Sequence, residues 1–398
     1  MRILYVCHRF PYPPKRGGKI RPFNVIKHLS RSHDVTVASL VRSADEARAG
    51  EGIAGHCKAF LMERVSHPGA ALRMLQRLPT RIPSSMGFFY SPRLARRITE
   101  ELMSAAYDLV LVHCSSVAPY LQDAPDIPKI LDFGDMDSQK WLAYAAVKPF
   151  PLSLGYRLEG WKLQRAEMEL AKRFDYCTCT TRAELATLEG FGTGVPADWY
   201  PNGVDTDYFA PTDLPYDPDT IAFVGRMDYF PNQQAVADFC RETLPLIRGR
   251  RSTVKLLIVG ADPSPAIRRL GRLPGVTVTG AVSEMPPIVR TAALTVAPLG
   301  IARGTQNKIL ESLAMGVPVV CSTRAAAGVD AVPDQHLLTA DTPRACAEAA
   351  LRLLDEAAVR RQFAEAGRAR MLSHHSWAAS MRKLDSIVED CLRRRALG

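Results

Sequence analysis

No stretch of this 398-residue chain reaches the ~18 consecutive apolar residues that a membrane-spanning helix needs, so any contact with a bilayer is expected to be peripheral. The start, MRILYVCHRF, has too short an apolar part for a signal peptide, and Arg9 follows at once. Nine cysteines are present, at 7, 57, 114, 177, 179, 240, 321, 346 and 391, yet no pair has CxxC spacing and no histidine cluster lies near them. Most sit in apolar runs, where a free thiol behaves as a small hydrophobe, which fits a reduced, cytoplasmic protein. No carboxylate pair offers evident acid and nucleophile roles, which argues against a two-carboxylate hydrolase. Gly190, Gly192 and Gly194 follow a predicted helix and run straight into Pro196, so the strand, glycine, helix order of a dinucleotide fingerprint is missing.

What is present is an ordinary globular composition, 47% hydrophobic and 23% charged, with a net charge of +10. The basic excess gathers at Lys15, Arg16, Lys19 and Arg21, at Arg248, Arg250 and Arg251, and at Arg393, Arg394 and Arg395. Such charge attracts phosphate esters, anionic lipid headgroups or nucleic acid without choosing among them. The chain is too long for one core of the usual size, so two domains are expected.

The first half reads as alternating strands and helices. RILYVC from Arg2 predicts strand one. The loop HRFPYPPKRGG then ends in Gly17 and Gly18 before a helix with Ile20, Phe23, Val25, Ile26 and Leu29 as its apolar positions. In a doubly wound sheet that loop lies at the ligand-facing edge, although an ordinary surface connection fits as well. Further strands are expected over 33–40, in LVLVHCSS from 109, in KILDF from 129 and in FDYCTCTT from 174; helices over 92–106, 154–173 and 183–188; and an irregular helical stretch over 44–83. His113 closes one of these strands, where a histidine is more often a hydrogen-bonded strand-end residue than a catalyst. Asp135 and Asp137 read as an N-cap arrangement ahead of a carboxylate pair.

Residues 196–218 hold five prolines and five aspartates without periodicity and form the expected linker. Beyond them the pattern restarts, with strands over 221–224, 254–260 and 276–280 and helices over 233–247, 345–354 and 359–371. A last helix over 377–392 carries Trp377, Met381, Leu384, Val388 and Cys391 on one face and must pack on something. The central unit is LTVAPLGIARGTQNKILESLAMGVPVVCS, from Leu294 to Ser322: strand, small polar loop, helix, strand. Gly304 and Thr305 stand where loop becomes helix, so backbone N–H groups and the positive end of the helix dipole are offered to a phosphate. Glu311, on the face opposite Ile309 and Leu313, is able to accept from sugar hydroxyls, and the pair of features suggests a nucleotide. A solvated helix carboxylate beside an ordinary turn fits that stretch as well. Two such halves leave a cleft between their carboxyl strand edges, where ligand sites are expected.

The order and spacing of RILYVCHRFPYPPKRGG, YPNGVDTDYFAP, FVGRM, LLIVG, VTVTGAV and ILESLAMGVPVVCS resemble the retaining glycosyltransferases of family 4, and the resemblance covers nearly the whole chain. GRMDYFPN with GTQNKILE is similar to a bacterial sugar transferase subgroup associated with exopolysaccharide synthesis and exosortase loci. The resemblance implies the GT-B fold: two Rossmann-like doubly wound parallel-sheet domains facing each other across a cleft. The implied limits are an acceptor-side domain over 1–198, a nucleotide-sugar donor domain over 199–376, and a terminal helix over 377–398 packing back on the first domain. It implies that Arg226, next to Gly225, binds the donor diphosphate; that Glu311 holds the ribose hydroxyls; that Gly17 and Gly18 belong to a loop closing on the phosphate; and that His113 lies near the sugar. Arg303, Gly304, Thr305, Gln306, Asn307 and Lys308 complete the expected substrate-binding set.

Two departures stand out. Arg303 occupies the place of the family's first glutamate, and the usual lysine after the GRM-like motif falls near Pro231 and Asn232; Arg303 or Lys308 is the available substitute for its charge. The implied reaction is metal-independent sugar transfer from a nucleotide diphosphate sugar to an acceptor hydroxyl, with fixed cations and helix N-termini stabilising the leaving diphosphate. No cofactor and no nucleic acid is implied. The acceptor is a glycan or a lipid-linked molecule, and the expected location is cytoplasmic, with peripheral contact at an anionic inner membrane as one reading. A nucleotide-sugar epimerase and a non-catalytic sugar-nucleotide sensor are the alternatives.

Overall fold

The computed structural model describes residues 1–14 and 17–397, so Lys15 and Arg16, counted above among the basic residues, lie outside the described residues. The chain divides into two compact units, Met1–Tyr200 with Met381–Gly398, and Pro201–Ser380.

In the first unit seven parallel strands, β1 (Arg2–Cys7), β2 (Asp34–Val41), β3 (Ala59–Arg64), β4 (Leu109–His113), β5 (Lys129–Gly134), β6 (Tyr176–Cys179) and β7 (Ala197–Trp199), lie in the order β3-β2-β1-β4-β5-β6-β7. The second unit has six parallel strands, β8 (Asp217–Val224), β9 (Lys255–Val259), β10 (Val276–Gly280), β11 (Ala292–Ala297), β12 (Val319–Cys321) and β13 (Leu338–Thr339), in the order β10-β9-β8-β11-β12-β13. Both are Rossmann-like doubly wound sheets. Central strands such as β1 and β11 are buried on both faces, which is why they read as continuous apolar runs without alternation. In each sheet the chain builds three strands outward and then returns to the other side of its first strand. The switch points therefore fall between β1 and β4 and between β8 and β11, where loops leaving the carboxyl ends diverge and leave a crevice.

Several local expectations need correction. The stretch 44–83 contains β3, an edge strand whose residues are half-buried or exposed, so it lacks the apolar run that marks its neighbours. A helix over Asp137–Val147 precedes the longer one, Leu152–Ala171. Asp135 and Asp137 are not caps: Met136 holds the N-cap position without a side-chain bond, Asp137 opens the helix, and Asp135 accepts from Thr180 Oγ1 at 2.8 Å. The helix expected over 233–247 runs from Phe230 to Arg250 with a π turn at Phe239–Thr243, just ahead of Pro245, whose missing N–H interrupts the regular ladder. The stretch 196–218 is not wholly a linker, since β7 lies near its start and β8 begins at Asp217.

The last helix, Trp377–Leu397, begins in the second unit and continues into the first. There Met381, Leu384, Ile387, Val388 and Cys391 are buried, and Asp385 meets His28 at 2.8 Å. Five buried apolar positions at helical spacing, each contributing about 1.5–3 kcal/mol on burial, are what hold the helix there.

Candidate functional site

At the β8–β11 switch point the backbone itself is tightly fitted. Gly225 N–H donates to Val259 O at 3.0 Å and Met227 N–H to Ala261 O at 2.9 Å, so the turns after β8 and β9 run side by side. A Cβ on Gly260 would stand 1.8 Å from Gly225 O, and only glycine permits that approach. The next residue, Arg226, projects outward with its side chain 43% exposed and is held by Asp228 at 2.5 Å and Asp262 at 2.9 Å. Asn232, nearly fully buried, links this turn to the next one. Its Nδ2 donates to Arg226 O at 2.8 Å, and its Oδ1 accepts from Lys308 Nζ at 2.5 Å.

Lys308 stands in the first turn of the helix Asn307–Ala314, which follows β11 through the loop 298–306. Gly304 takes φ +60° there, and its carbonyl occupies the space that a Cβ on Gly328 would need. Gln306 holds the N-cap position, but its side-chain amide donates back to Arg303 O and Gly304 O instead of capping the helix. The first N–H groups of the helix are therefore left for another acceptor. Thr305 Oγ1 and Asn307 Oδ1 are buried without a hydrogen-bond partner. Among the described residues the Glu311 carboxylate has no hydrogen bond or ion pair either, and Arg303 is exposed at the rim of the loop. Burial pushes the Glu311 carboxyl up to about 7 against the opposing charge of Lys308; burial likewise brings Lys308 down to about 8 while Glu311 works the other way. Cations, free backbone donors and unsatisfied oxygens side by side suit a ligand that carries both anionic and hydroxyl groups.

The remaining expected residues belong to the first unit. His113 ends β4 with Nδ1 2.8 Å from Asp132 Oδ2. Asp132 is fully buried at the centre of a closed network: Arg21 Nε at 2.8 Å and Nη2 at 3.1 Å, Tyr200 OH at 3.0 Å, Thr178 Oγ1 at 3.0 Å and Gly134 N–H at 3.2 Å. Burial alone would raise the Asp132 carboxyl; the Arg21 charge and the His113 hydrogen bond overcome it and hold the group far below the usual range. Gly17 and Gly18 open the helix Gly17–Leu29, and a Cβ on Gly18 would lie 3.4 Å from His8 Nε2. The His8 ring is 5.5 Å from that of His113, and burial together with His113 keeps it neutral.

The structure thus brings Gly225, Arg226 and Lys308 together through Asn232, with Arg303 to Asn307 and Glu311 on the loop and helix that carry Lys308; His113, Gly17 and Gly18 lie at the sheet edge of the other unit. Sequence reasoning missed Asn232, Asp262, Asp132 and His8. For Asp132 a signal existed, a carboxylate inside the buried strand KILDF. Among the described residues no group of three or more His, Cys, Asp or Glu is placed to hold a metal ion, and no helix is long and apolar enough to cross a membrane.

Comparison with known proteins bears on the site directly. Residues 218–356 match the family model Glycosyl transferases group 1. That span runs from β8 through the helix Pro343–Asp355 and contains the whole second-unit cluster. No curated protein matches the chain. Among solved structures, a sucrose-phosphate synthase from Thermosynechococcus elongatus is similar with a TM-score of 0.70 at 16% identity, over 99% of this chain and 100% of the other. HepE of Anabaena in complex with UDP-glucose is similar at 0.68 and 14% identity, over 98% and 100%. An E. coli structure described as trehalose-6-phosphate bound with UDP-2-fluoro glucose is similar at 0.67 and 11% identity, over 97% and 99%. At such identities these likenesses establish the fold, that of the GT-B glycosyltransferases.

Proposed function

We propose that this protein is a glycosyltransferase that moves a sugar, with retention and without a metal, from a nucleotide diphosphate sugar to an acceptor hydroxyl, in bacterial exopolysaccharide or cell-surface glycan synthesis. The observation that carries the reading is the Arg226, Asn232, Lys308 linkage beside the unpartnered Thr305, Asn307 and Glu311 at the switch point of the second unit. The group 1 match over the same residues supports it, as do the UDP-sugars bound by structures of the same fold.

In this reading the bond from the anomeric carbon to the diphosphate breaks, a bond to the acceptor oxygen forms, and the acceptor proton leaves. Arg226, Lys308 and the N–H groups at Gly304 to Asn307 stabilise the charge that grows on the leaving diphosphate. Lys308 supplies the positive charge that Asn232 lacks, Glu311 takes the ribose hydroxyls, and Arg303 meets the hexose or its phosphate. Ionised Asp132 only accepts, so it holds a proton on His113 Nδ1 and orients the ring with its Nε2 edge toward the sugar. The second unit is then the donor domain, the first the acceptor domain, and the cytoplasm the expected compartment. A thermal-shift screen with nucleotide sugars tests this: at least one is expected to raise the melting temperature in wild type and not in Arg226→Ala. No shift with any of them would overturn the reading, and binding without transfer would favour a sensor.

A further inference from the structure

One cluster of four arginines in the first unit is without an ion pair among the described residues, and a single carboxylate, Glu46, lies near enough to act on it. Arg9 follows β1, Arg42 follows β2, and Arg73 and Arg77 lie one turn apart on the helix His67–Arg77. All four gather on residues 87–90. The Arg42 guanidinium lies 3.8 Å from the Phe88 ring centroid and 5.5 Å from that of Phe89, where Arg9 approaches to 5.9 Å. Arg77 lies 5.7 Å from the Tyr90 ring, and Arg73 Nε donates to Gly87 O at 3.2 Å. Among the described residues none of the four forms an ion pair; the nearby Glu46 is taken by Lys19 at 2.7 Å and by the Arg42 N–H. Arg42 Nη1, Arg73 Nη2 and His8 Nδ1 are all buried without a partner. Burial lowers the basicity of Arg42, as do the neighbouring Arg9 and Arg73, and the opposing charge of Glu46 does not make up for them. Buried donors left unmet and like charges left unshielded are both unfavourable, and an anion with several acceptor oxygens relieves both.

The surroundings narrow the anion. The helix that carries Arg73 and Arg77 exposes Leu72 (57%) and Leu75 (61%), and the chain continues through exposed Leu78 and Ile82. Lys162 Nζ donates to Arg77 O at 3.2 Å and Leu78 O at 2.8 Å, which sets the helix Leu152–Ala171 alongside. That helix exposes Leu154, Leu158 and Trp161 in one stripe, with Phe150 (81% exposed) just before it. Among the described residues twenty-two large apolar side chains are exposed, and ten of them fall between 72 and 82 or between 147 and 161, so the face is a patch and not scatter. Its charges are one-sided. The only acid within 67–90 and 147–165 is Glu159, which is turned inward to the N–H groups of Ser84 and Ser85. Apolar and aromatic side chains among cations, with no acid facing out, complement an anionic lipid surface.

We propose that the arginine cluster binds the phosphate of an amphiphilic phosphate ester and that the adjoining apolar face receives its hydrocarbon chain at the bilayer. Resting on the transferase reading, the acceptor is then a lipid-linked phosphate ester that also carries the receiving hydroxyl.

Decyl phosphate, inorganic phosphate and decanol, compared as ligands of the full chain, test this. Decyl phosphate is expected to bind on the order of tenfold tighter than either of the others. The double variant Arg42→Gln, Arg73→Gln should bind it roughly a hundredfold more weakly. The same variant gives up the hydrogen bonds to Phe88 O and Gly87 O, so its fold is checked by circular dichroism, and its thermal shift with nucleotide sugars is expected to match wild type. Leu154→Ser with Trp161→Ser should reduce binding to phosphatidylcholine vesicles containing phosphatidic acid, with the fold unchanged by circular dichroism. Equal affinity for decyl phosphate and inorganic phosphate would overturn the lipid, leaving a free phosphate ester as the ligand; unchanged binding in the double arginine variant would overturn the site. Concentration-dependent dimers lost with the apolar substitutions, without vesicle binding, would give the face to a second copy and overturn the membrane role. The nucleotide-sugar thermal shift, run in parallel, separates the two readings, since its residues lie in the other unit.

Discussion

The two sheet edges of this chain share a topology and differ in how completely they are satisfied. At the edge holding His113, the buried carboxylate of Asp132 is closed on every side by Arg21, Tyr200, Thr178 and Gly134. At the edge holding Arg226, oxygens of Thr305, Asn307 and Glu311 are left without partners and the arginine is largely exposed. A buried polar network that is complete stabilises and positions; one that is incomplete costs free energy until something binds. In the proposed reading, the difference separates residues that hold the fold from residues that wait for a ligand.

The comparison breaks first at Asp132. Asp132→Ala strands the buried Arg21 charge and is expected to cost about 3–5 kcal/mol in urea unfolding. The Asp132 carboxyl is depressed in the folded state, so its contribution is present above its unfolded value of roughly 3.9 and lost only as pH falls below that, and unfolding measured from pH 7 down to the acid range should follow this sign. Arg226→Ala should behave oppositely, with turnover lower by on the order of a hundredfold or more and urea unfolding unchanged. Gly260→Ala drives a methyl group into Gly225 O and should cost about 1–3 kcal/mol while also weakening nucleotide-sugar binding, both readable in one thermal-shift series.

The smallest effect sharpens the contrast. Because burial raises the Glu311 carboxyl to about 7, the folded state holds that proton more tightly than the unfolded chain. Stability should therefore rise as pH falls from about 7 toward 4, and Glu311→Gln should stabilise the protein at pH above 7 by about 1–2 kcal/mol while weakening the ligand. If Glu311 waits for a ligand as proposed, it gains stability when neutralised, whereas a structural carboxylate such as Asp132 loses it.

The fold was legible because parallel strands buried on both faces read as apolar runs, and the restart beyond the linker marks a second sheet. β3 was hidden by its exposed edge position, and the π turn by a proline inside an otherwise helical pattern. The location of the second-unit cluster was legible where its residues are close in sequence, from Arg303 to Glu311. Asn232 and Asp262 join it from other strand ends, and periodicity carries no sign of that. The Asp132 network was illegible for the same reason, since Arg21 reaches Tyr200 across 179 positions. The unpaired arginines were spread over 9, 42, 73 and 77, too thinly to stand out from the net charge.

Hydrogen–deuterium exchange with and without the nucleotide sugar that gives the largest thermal shift tests the central contrast most directly. The expected result is new protection over 225–232 and 303–311, with the segments around Asp132 and Arg21 equally protected in both states. Protection confined to other segments, or an Asp132 network that becomes ordered only with ligand, would contradict it.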